Sequence, residues 1–221
     1  MTVLIPELRL KAIVDELLTK IKDDYEASVA ANIVNESFLY RVFQGNEIDG
    51  YDLYVQAIDL LTRDDENYKK LETRLMYDRS RAGLPTIHIT LPRETKGKEN
   101  GLGFGRDSNT DLRNDDGSIT LVNSRSFDTV YEMAITSSDS LQTIIIYNIL
   151  KSGFIAIADS LELIGMKIPE YSGGDININT DLVPNVYMRS FAISIDYNYD
   201  VPTFIKKARI DQINFNKANT V

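Results

Sequence analysis

The chain has 221 residues, a formal net charge of −9 at pH 7 and no cysteine. This length is enough to bury a core without covalent crosslinks, and the lack of cysteine excludes disulfides, thiolate metal ligands and cysteine nucleophiles. The acidic balance disfavours nonspecific binding to nucleic-acid phosphates and to anionic lipid.

The N-terminal part of the sequence predicts a long helix. Its first residues carry neither a basic region nor a continuous apolar segment, so we expect no signal peptide and no membrane anchor. Apolar side chains then recur at three- and four-residue intervals from Leu8 to Tyr25. This spacing predicts an amphipathic helix that starts near Pro6 and extends to about Val34.

Residues 35–82 are predicted to form a helical insertion packed on the main sheet. Residues 37–43 fit either a helix or a strand, and Asp49-Gly50 marks a turn. Residues 51–61 and 66–77 then have the pattern of two short helices.

Residues 84–92 alternate apolar and polar side chains between two prolines, which predicts a strand, with the prolines favouring a sheet edge. Residues 93–126 are rich in glycine and polar residues and too long for an ordinary loop, so we expect an extended loop or hairpin arm with a returning strand at 118–123. The arm residues expected to contact a partner are Lys96, Gly97, Gly101, Gly103, Phe104, Gly105 and Arg106.

A strand followed by an apolar helix lies at the centre of the sequence. Residues 127–136 alternate with a period of two, and the serines and Asp139 that follow can accept hydrogen bonds from a first helical turn. The helix is predicted to run to Leu163, to be covered on more than one face, and to end at Gly165.

The C-terminal part predicts one more long strand and a basic tail. Residues 187–199 alternate strictly, and we expect this strand to pair with 127–136 in one sheet on which the central helix lies. The tail, residues 201–221, reverses the charge of the rest of the chain. A basic tail on an acidic protein favours contact with a neighbouring copy. Its predicted contact residues are Lys206, Lys207 and Arg209.

These elements predict a single α+β domain over residues 1–221. A mainly antiparallel sheet is expected to pack against the central apolar helix and the long N-terminal helix, with the helical insertion and the hairpin arm added to it.

The residues that could carry chemistry favour structural roles. Residues 101–105 lack the spacing of a dinucleotide-binding loop and the Lys of a P-loop. His88, the only histidine, has no neighbouring nucleophile or second imidazole in the sequence. Aromatic residues of the 187–199 strand lack interleaved Arg and Lys, so a core or a subunit interface explains them better than base stacking does.

An Asx-rich segment is the one candidate for a metal. Its oxygen-bearing side chains alternate along the chain and suit a hard cation, but the spacing misses a calcium loop, and such segments usually satisfy their own backbone. These residues are Asp175, Asn177, Asn179 and Asp181. We therefore predict no catalytic, cofactor-binding or metal-binding residues.

The order of elements resembles a known family of virion proteins. A long amphipathic N-terminal helix precedes a strand, a glycine-rich hairpin region, the unit at 131–144 (YEMAITSSDSLQTI) and a late strand at 187–197 (YMRSFAISIDY). This order is similar to that of the tail-terminator and neck proteins of tailed bacteriophages, including ring proteins of crAss-like phages. The resemblance covers about two thirds of the chain and leaves out residues 35–82.

The resemblance implies a structural protein without catalytic residues. Such proteins form closed rings of sixfold or twelvefold symmetry at the head–tail connector, between neck or portal-adaptor proteins and tail proteins. DNA passes through the ring without sequence-specific binding, and the protein, made in the host cytoplasm, ends in the virion. The alternative is that the protein is a cytosolic small-ligand-binding or regulatory module, with a flexible segment that closes over the ligand.

Overall fold

The computed structural model describes residues 6–63, 70–76, 84–96, 109–113, 119–163, 166–176 and 186–202. Helices and strands mix along this part of the chain, which confirms the α+β class. The helices are α1 (Pro6–Ala30), α2 (Phe38–Phe43), α3 (Leu53–Thr62), α4 (Ser140–Ala156) and α5 (Ala158–Leu163), with a 3₁₀ turn at Val34–Glu36. The strands are β1 (Glu47–Ile48), β2 (Tyr51–Asp52), β3 (Glu72–Leu75), β4 (Thr86–Lys96), β5 (Asn109–Arg113), β6 (Ile119–Ser137), β7 (Lys167–Asp175) and β8 (Tyr187–Pro202).

The main sheet has the strand order β3-β4-β6-β8-β7 over the described residues, and β5 pairs with β6 outside this path. The neighbouring positions of β6 and β8 confirm the predicted pairing of the two long strands. Strand β3 runs parallel to β4, whereas β5 runs antiparallel to β6 and β7 antiparallel to β8. Strand β4 also runs antiparallel to β6, because Thr136 Oγ1 donates to Thr86 O while Thr90 Oγ1 donates to Glu132 O.

Strand β4 is not an edge strand, contrary to the expectation from its prolines. It lies between β3 and β6. The ladder with β3 covers only Thr86 to Ile89, so Pro85 and Pro92 both fall outside it. Because neither proline occupies a position that must donate to β3, the strand can sit inside the sheet.

The second helix predicted in the insertion, over residues 66–77, is wrong where the structure describes it. Glu72–Leu75 is strand β3, and its register with β4 pairs Glu72 with Thr86 and Leu75 with Ile89. Met76 then takes a φ of +61° while its N–H still donates to Ile89 O. Pairing with β4 thus overrides the weak helical pattern of this short segment.

Helix α1 confirms the predicted amphipathic helix but ends earlier than expected. Its buried face carries Leu10, Val14, Leu17 and Ile21. The helix stops at Ala30, and Asn32 adopts a φ of +59°, a conformation that ends a helix before the 3₁₀ turn.

Strand β6 and helix α4 confirm the predicted central unit. Tyr131, Met133 and Ile135 on one face of β6 have no exposed surface. Helix α4 is buried on more than one side, and its buried residues are Thr143, Ile145, Ile146, Ile149, Leu150, Gly153 and Phe154. The predicted single helix is interrupted, however, because α4 ends at Ala156 and α5 begins at Ala158. The N–H of Ile157 reaches back to Gly153 O and Ile155 O at this break, and the predicted end at Gly165 lies outside the described residues.

The N-cap of α4 allows a direct stability test. Asp139 Oδ1 accepts a hydrogen bond from Leu141 N at 2.9 Å. We expect Asp139→Ala to lower the free energy of unfolding by about 1 kcal/mol, because a first-turn N–H loses its acceptor. Urea denaturation followed by circular dichroism measures it. Asp23→Ala on exposed α1 surface is the control, expected within about 0.5 kcal/mol of the parent. Equal losses in the two variants would contradict the capping role.

The chain divides into two compact units. The body comprises Ile5–Thr95 and Asp128–Tyr197, and holds the helices together with most of the sheet. The arm unit comprises Met1–Leu4, Lys96–Phe127 and Asn198–Val221. The prediction of one domain over the whole chain stays a prediction.

Candidate functional site

The described part of the predicted arm contains an antiparallel hairpin ladder. Strand β5 pairs with the first residues of β6, from Asn109 opposite Asn123 to Arg113 opposite Ile119. This register confirms the returning strand predicted at residues 118–123. Lys96 is the last residue of β4. The other predicted arm contacts, Gly97, Gly101, Gly103, Phe104, Gly105 and Arg106, lie outside the described residues.

The strands that contribute to the arm unit are unusually long. Strand β6 has 19 residues and β8 has 16. Strands of five or six residues are the most common. The predicted tail contacts Lys206, Lys207 and Arg209 follow β8 and lie outside the described residues.

The other candidates from the sequence have structural partners where the structure describes them. His88 is buried in β4, and its Nδ1 lies 3.2 Å from the carbonyl oxygen of Met76, the residue after β3, so this nitrogen donates to that carbonyl. Asp175 pairs with Arg189 Nε at 2.7 Å across the β7–β8 ladder. Asn177, Asn179 and Asp181 lie outside the described residues. Within the described ranges, no three His, Asp or Glu side chains are grouped so that they could hold a metal ion.

A polar cluster under α1 is a feature that the sequence reasoning missed. The hydroxyl of Tyr197 donates to Glu94 Oε2 at 2.9 Å. Tyr131 and Thr129 are fully buried on β6, and the Tyr131 hydroxyl has no hydrogen-bond partner among the described residues. Burial raises the pKa of the Tyr131 phenol, and the Glu7 carboxylate raises it further. Burial also raises the pKa of Tyr197, with the Glu94 carboxylate adding to the effect.

The pairing of β4 with β6 brings Glu94 to this cluster. Side-chain bonds link Thr86 with Thr136, Thr90 with Glu132 and Thr95 with Asp128. The last residues of β4 therefore lie beside the part of β6 that carries Thr129 and Tyr131. No local sequence signal identifies such a pairing of distant segments.

Stability above pH 10 tests the burial of these phenols. A tyrosine of the unfolded chain loses its proton near pH 10, whereas the raised pKa keeps the buried phenol protonated. Above pH 10 the unfolded state therefore binds fewer protons than the folded state. The free energy of unfolding is unaffected below pH 10 and falls above it by about 1.4 kcal/mol per pH unit for each tyrosine. Tyr131→Phe removes one of the buried phenols, so this loss of stability should become smaller by about 1.4 kcal/mol per pH unit. Urea denaturation at pH 7 to 11 measures it.

The same variant gives a second readout at pH 7. Because the Tyr131 hydroxyl is buried without a partner, we expect Tyr131→Phe to be neutral or to stabilise the protein by up to about 1 kcal/mol. Tyr187→Phe, on an exposed phenol of β8, is the control. A clear destabilisation by Tyr131→Phe, or an unchanged slope above pH 10, would contradict this account of the cluster.

An aromatic cluster around Phe191 fixes α4 on the sheet. Phe191 is 1% exposed, and its ring centroid lies 5.8 Å from Tyr147 and 5.9 Å from Phe154, both on α4. Tyr171 of β7 stacks on it at 6.1 Å. The guanidinium of Arg189 lies 5.4 Å from the Tyr147 ring centroid and covers the cluster. Of the two explanations for the aromatic strand face, core packing is therefore correct for Phe191, whereas Tyr187 is about half exposed.

Three shallow grooves on the surface of the body are formed by residues that the structure describes. One of about 400 Å³ lies between α1 and α3, and one of about 210 Å³ lies between α1 and α5. The third, of about 260 Å³, lies where the β1–β2 hairpin meets the first turn of α4. Sequence reasoning could not find them, because each is formed by segments that are distant along the chain.

A comparison with known protein families matches none of them to this chain, and no curated protein is detectably similar to it in sequence. None of the helices in the described part of the chain is long and apolar enough to cross a membrane.

Proposed function

We propose that this protein is a structural subunit of a bacteriophage neck or tail ring, a tail terminator or head–tail connector that associates with itself around the DNA exit channel. The observation that supports the proposal most is the β5–β6 hairpin of the arm unit. Such an arm allows one subunit to hold the next, or to hold the neighbouring portal-adaptor or tail protein. The resemblance in element order supports the same function.

The hairpin has the features of an element completed by a partner. Within the described residues β5 pairs with β6 alone, so its other edge presents backbone N–H and C=O groups that a second chain can pair with. An arm of this kind gains stability on assembly.

The charge of the chain supports passage of DNA. With a formal net charge of −9, the subunit repels phosphates on average, so a ring of such subunits disfavours retention of the duplex. The proposed site of action is the virion, after synthesis in the host cytoplasm.

Electron microscopy and sedimentation of the purified chain test the proposal. We expect closed rings of sixfold or twelvefold symmetry, either alone or after addition of portal and tail assemblies encoded beside it. A chain that stays monomeric alone and also fails to join those assemblies would overturn the proposal. If a small molecule or divalent cation then raises the melting temperature of that monomer, the ligand-binding alternative gains support.

A variant of the arm tests the role of the hairpin. Residues that face each other in an antiparallel ladder alternate between hydrogen-bonded and non-hydrogen-bonded pairs. One of the adjacent residues Thr110 and Asp111 is therefore in a hydrogen-bonded pair, and prolines at both positions remove its bond to β6. We expect Thr110→Pro/Asp111→Pro to abolish assembly and to leave the thermal unfolding of the body unchanged. Thr110→Ala/Asp111→Ala is the matched control and should assemble. Normal rings from the proline variant would exclude this strand from the contact.

A further inference from the structure

The groove at the start of α4 is lined by apolar and polar side chains in equal number. Ile48, Leu141 and Ile144 line it and are each partly exposed. Tyr51 stands at its side with 58% of its surface exposed, and the neighbouring Val55 is 53% exposed. Large exposed apolar side chains beside a partly apolar groove with a polar rim are typical of a protein contact.

The hairpin that forms one wall is closed by a tight turn. Asp49 and Gly50 have φ values of +52° and +81°, as the two central residues of a tight type I′ turn do. This turn places Ile48 directly opposite Tyr51. The wall is therefore formed before any partner arrives, which lowers the entropic cost of binding.

The rim of the groove carries acidic side chains. Asp49 and Asp139 line it, and Glu47 lies directly opposite Asp52 in the hairpin, a like-charge pair that destabilises a ladder. No ion pair engages these four carboxylates within the described residues. On α1, by contrast, lysines of the same helix pair with Asp15, Glu16 and Glu26. A cationic partner would relieve the repulsion at the hairpin.

The chain itself contains a segment with matching chemistry. In the sequence after β8, Phe204 and Ile205 precede Lys206 and Lys207, and Arg209 and Ile210 follow. This segment has apolar side chains that can contact the apolar residues of the groove and three cations that can pair with the carboxylates of its rim. We propose that residues 204–210 of one copy bind the groove at the start of α4 on a second copy. The inference rests on the proposed ring function and names the surface by which neighbouring subunits recognise each other.

Charge exchange between full-length variants tests the contact. Glu47→Lys with Asp49→Asn reduces the acidity of the rim, keeps both helix caps intact, and places Lys opposite Asp52, so the hairpin should fold. We expect this variant, and separately Lys206→Glu with Lys207→Glu, to weaken self-association about tenfold or more in sedimentation experiments. A chain that carries all four substitutions should regain much of the lost affinity. Glu162→Lys with Asp159→Asn changes the charge of exposed α5 by the same amount and is the control.

Crosslinking identifies the contact directly. A carbodiimide joins lysine to carboxylate at zero length, and a mixture of ¹⁵N-labelled and unlabelled parent protein shows whether the joined peptides come from different copies. We expect a crosslink between the 204–210 segment and the β1–β2 hairpin of another copy.

The outcomes separate this inference from the proposed function. Rings that form normally from the Glu47→Lys/Asp49→Asn variant, without the crosslink, would overturn the contact and leave the ring function standing. A parent chain that never assembles, alone or with portal and tail assemblies, would overturn both.

Discussion

Phe191→Ala is expected to lower the free energy of unfolding by about 3–5 kcal/mol, the range for removing a fully buried phenylalanine. The ring is 1% exposed and contacts Tyr147, Phe154 and Tyr171. These residues come from α4 and β7, which pack on β8 at this point. The substitution therefore leaves a cavity at the joint between the helix and the sheet, and the surrounding aromatic rings can close it only partly.

Urea denaturation followed by circular dichroism measures the loss. Because small proteins are stable by about 5–15 kcal/mol, the variant should unfold at a clearly lower denaturant concentration. Tyr187→Ala is the matched control, since Tyr187 lies on the same face of the same strand but is about half exposed. A loss below about 1 kcal/mol for Phe191→Ala, or equal losses in the two variants, would show that the cluster does not hold α4 on the sheet.

Gly173→Ala is expected to destabilise the protein by about 1–3 kcal/mol, although it adds a single methyl group. A Cβ at this position would lie 2.6 Å from Ser190 O on the neighbouring strand and 2.6 Å from Tyr147 Cε2. The carbonyl belongs to the ladder and cannot move without loosening it. The Tyr147 ring is in turn held between Phe191 and the Arg189 guanidinium.

The next residue provides the control for this prediction. A Cβ on Gly174 would meet no atom within 4 Å, so Gly174→Ala should be neutral or slightly stabilising. Thermal and urea unfolding of the two variants compare one methyl group at adjacent positions of β7. Equal stability of the two would rule out the close approach of Tyr147 to the strand.

Both substitutions act on the packed interior of the body, whereas the proposed contacts lie in the arm unit and in the groove on the surface of the body. Variants of the arm or of the groove rim should therefore change assembly without changing body stability, and the Phe191 and Gly173 variants should change stability first. A variant that loses assembly but keeps the stability of the body therefore has a defect in the contact and not in folding.

Several elements could be predicted from the sequence, because local interactions determine them. The alternation of β6 and β8 specifies their buried faces, and Asp139 provides the acceptor that starts α4. The Asp49-Gly50 pair likewise specifies a turn, since its two residues tolerate positive φ. Even the hairpin β5–β6 follows from the length and composition of its segment.

Tertiary structure decided the rest. Glu72–Leu75 became a strand because it pairs with β4, on the side of β4 that does not pair with β6. Glu94 reaches Tyr197 because β4 and β8 belong to the same sheet. The groove exists only because the hairpin and α3 meet the first turn of α4. Each of these features depends on backbone pairing or side-chain packing between distant segments, and the local periodicity of a sequence carries no information about which distant segment will be its neighbour.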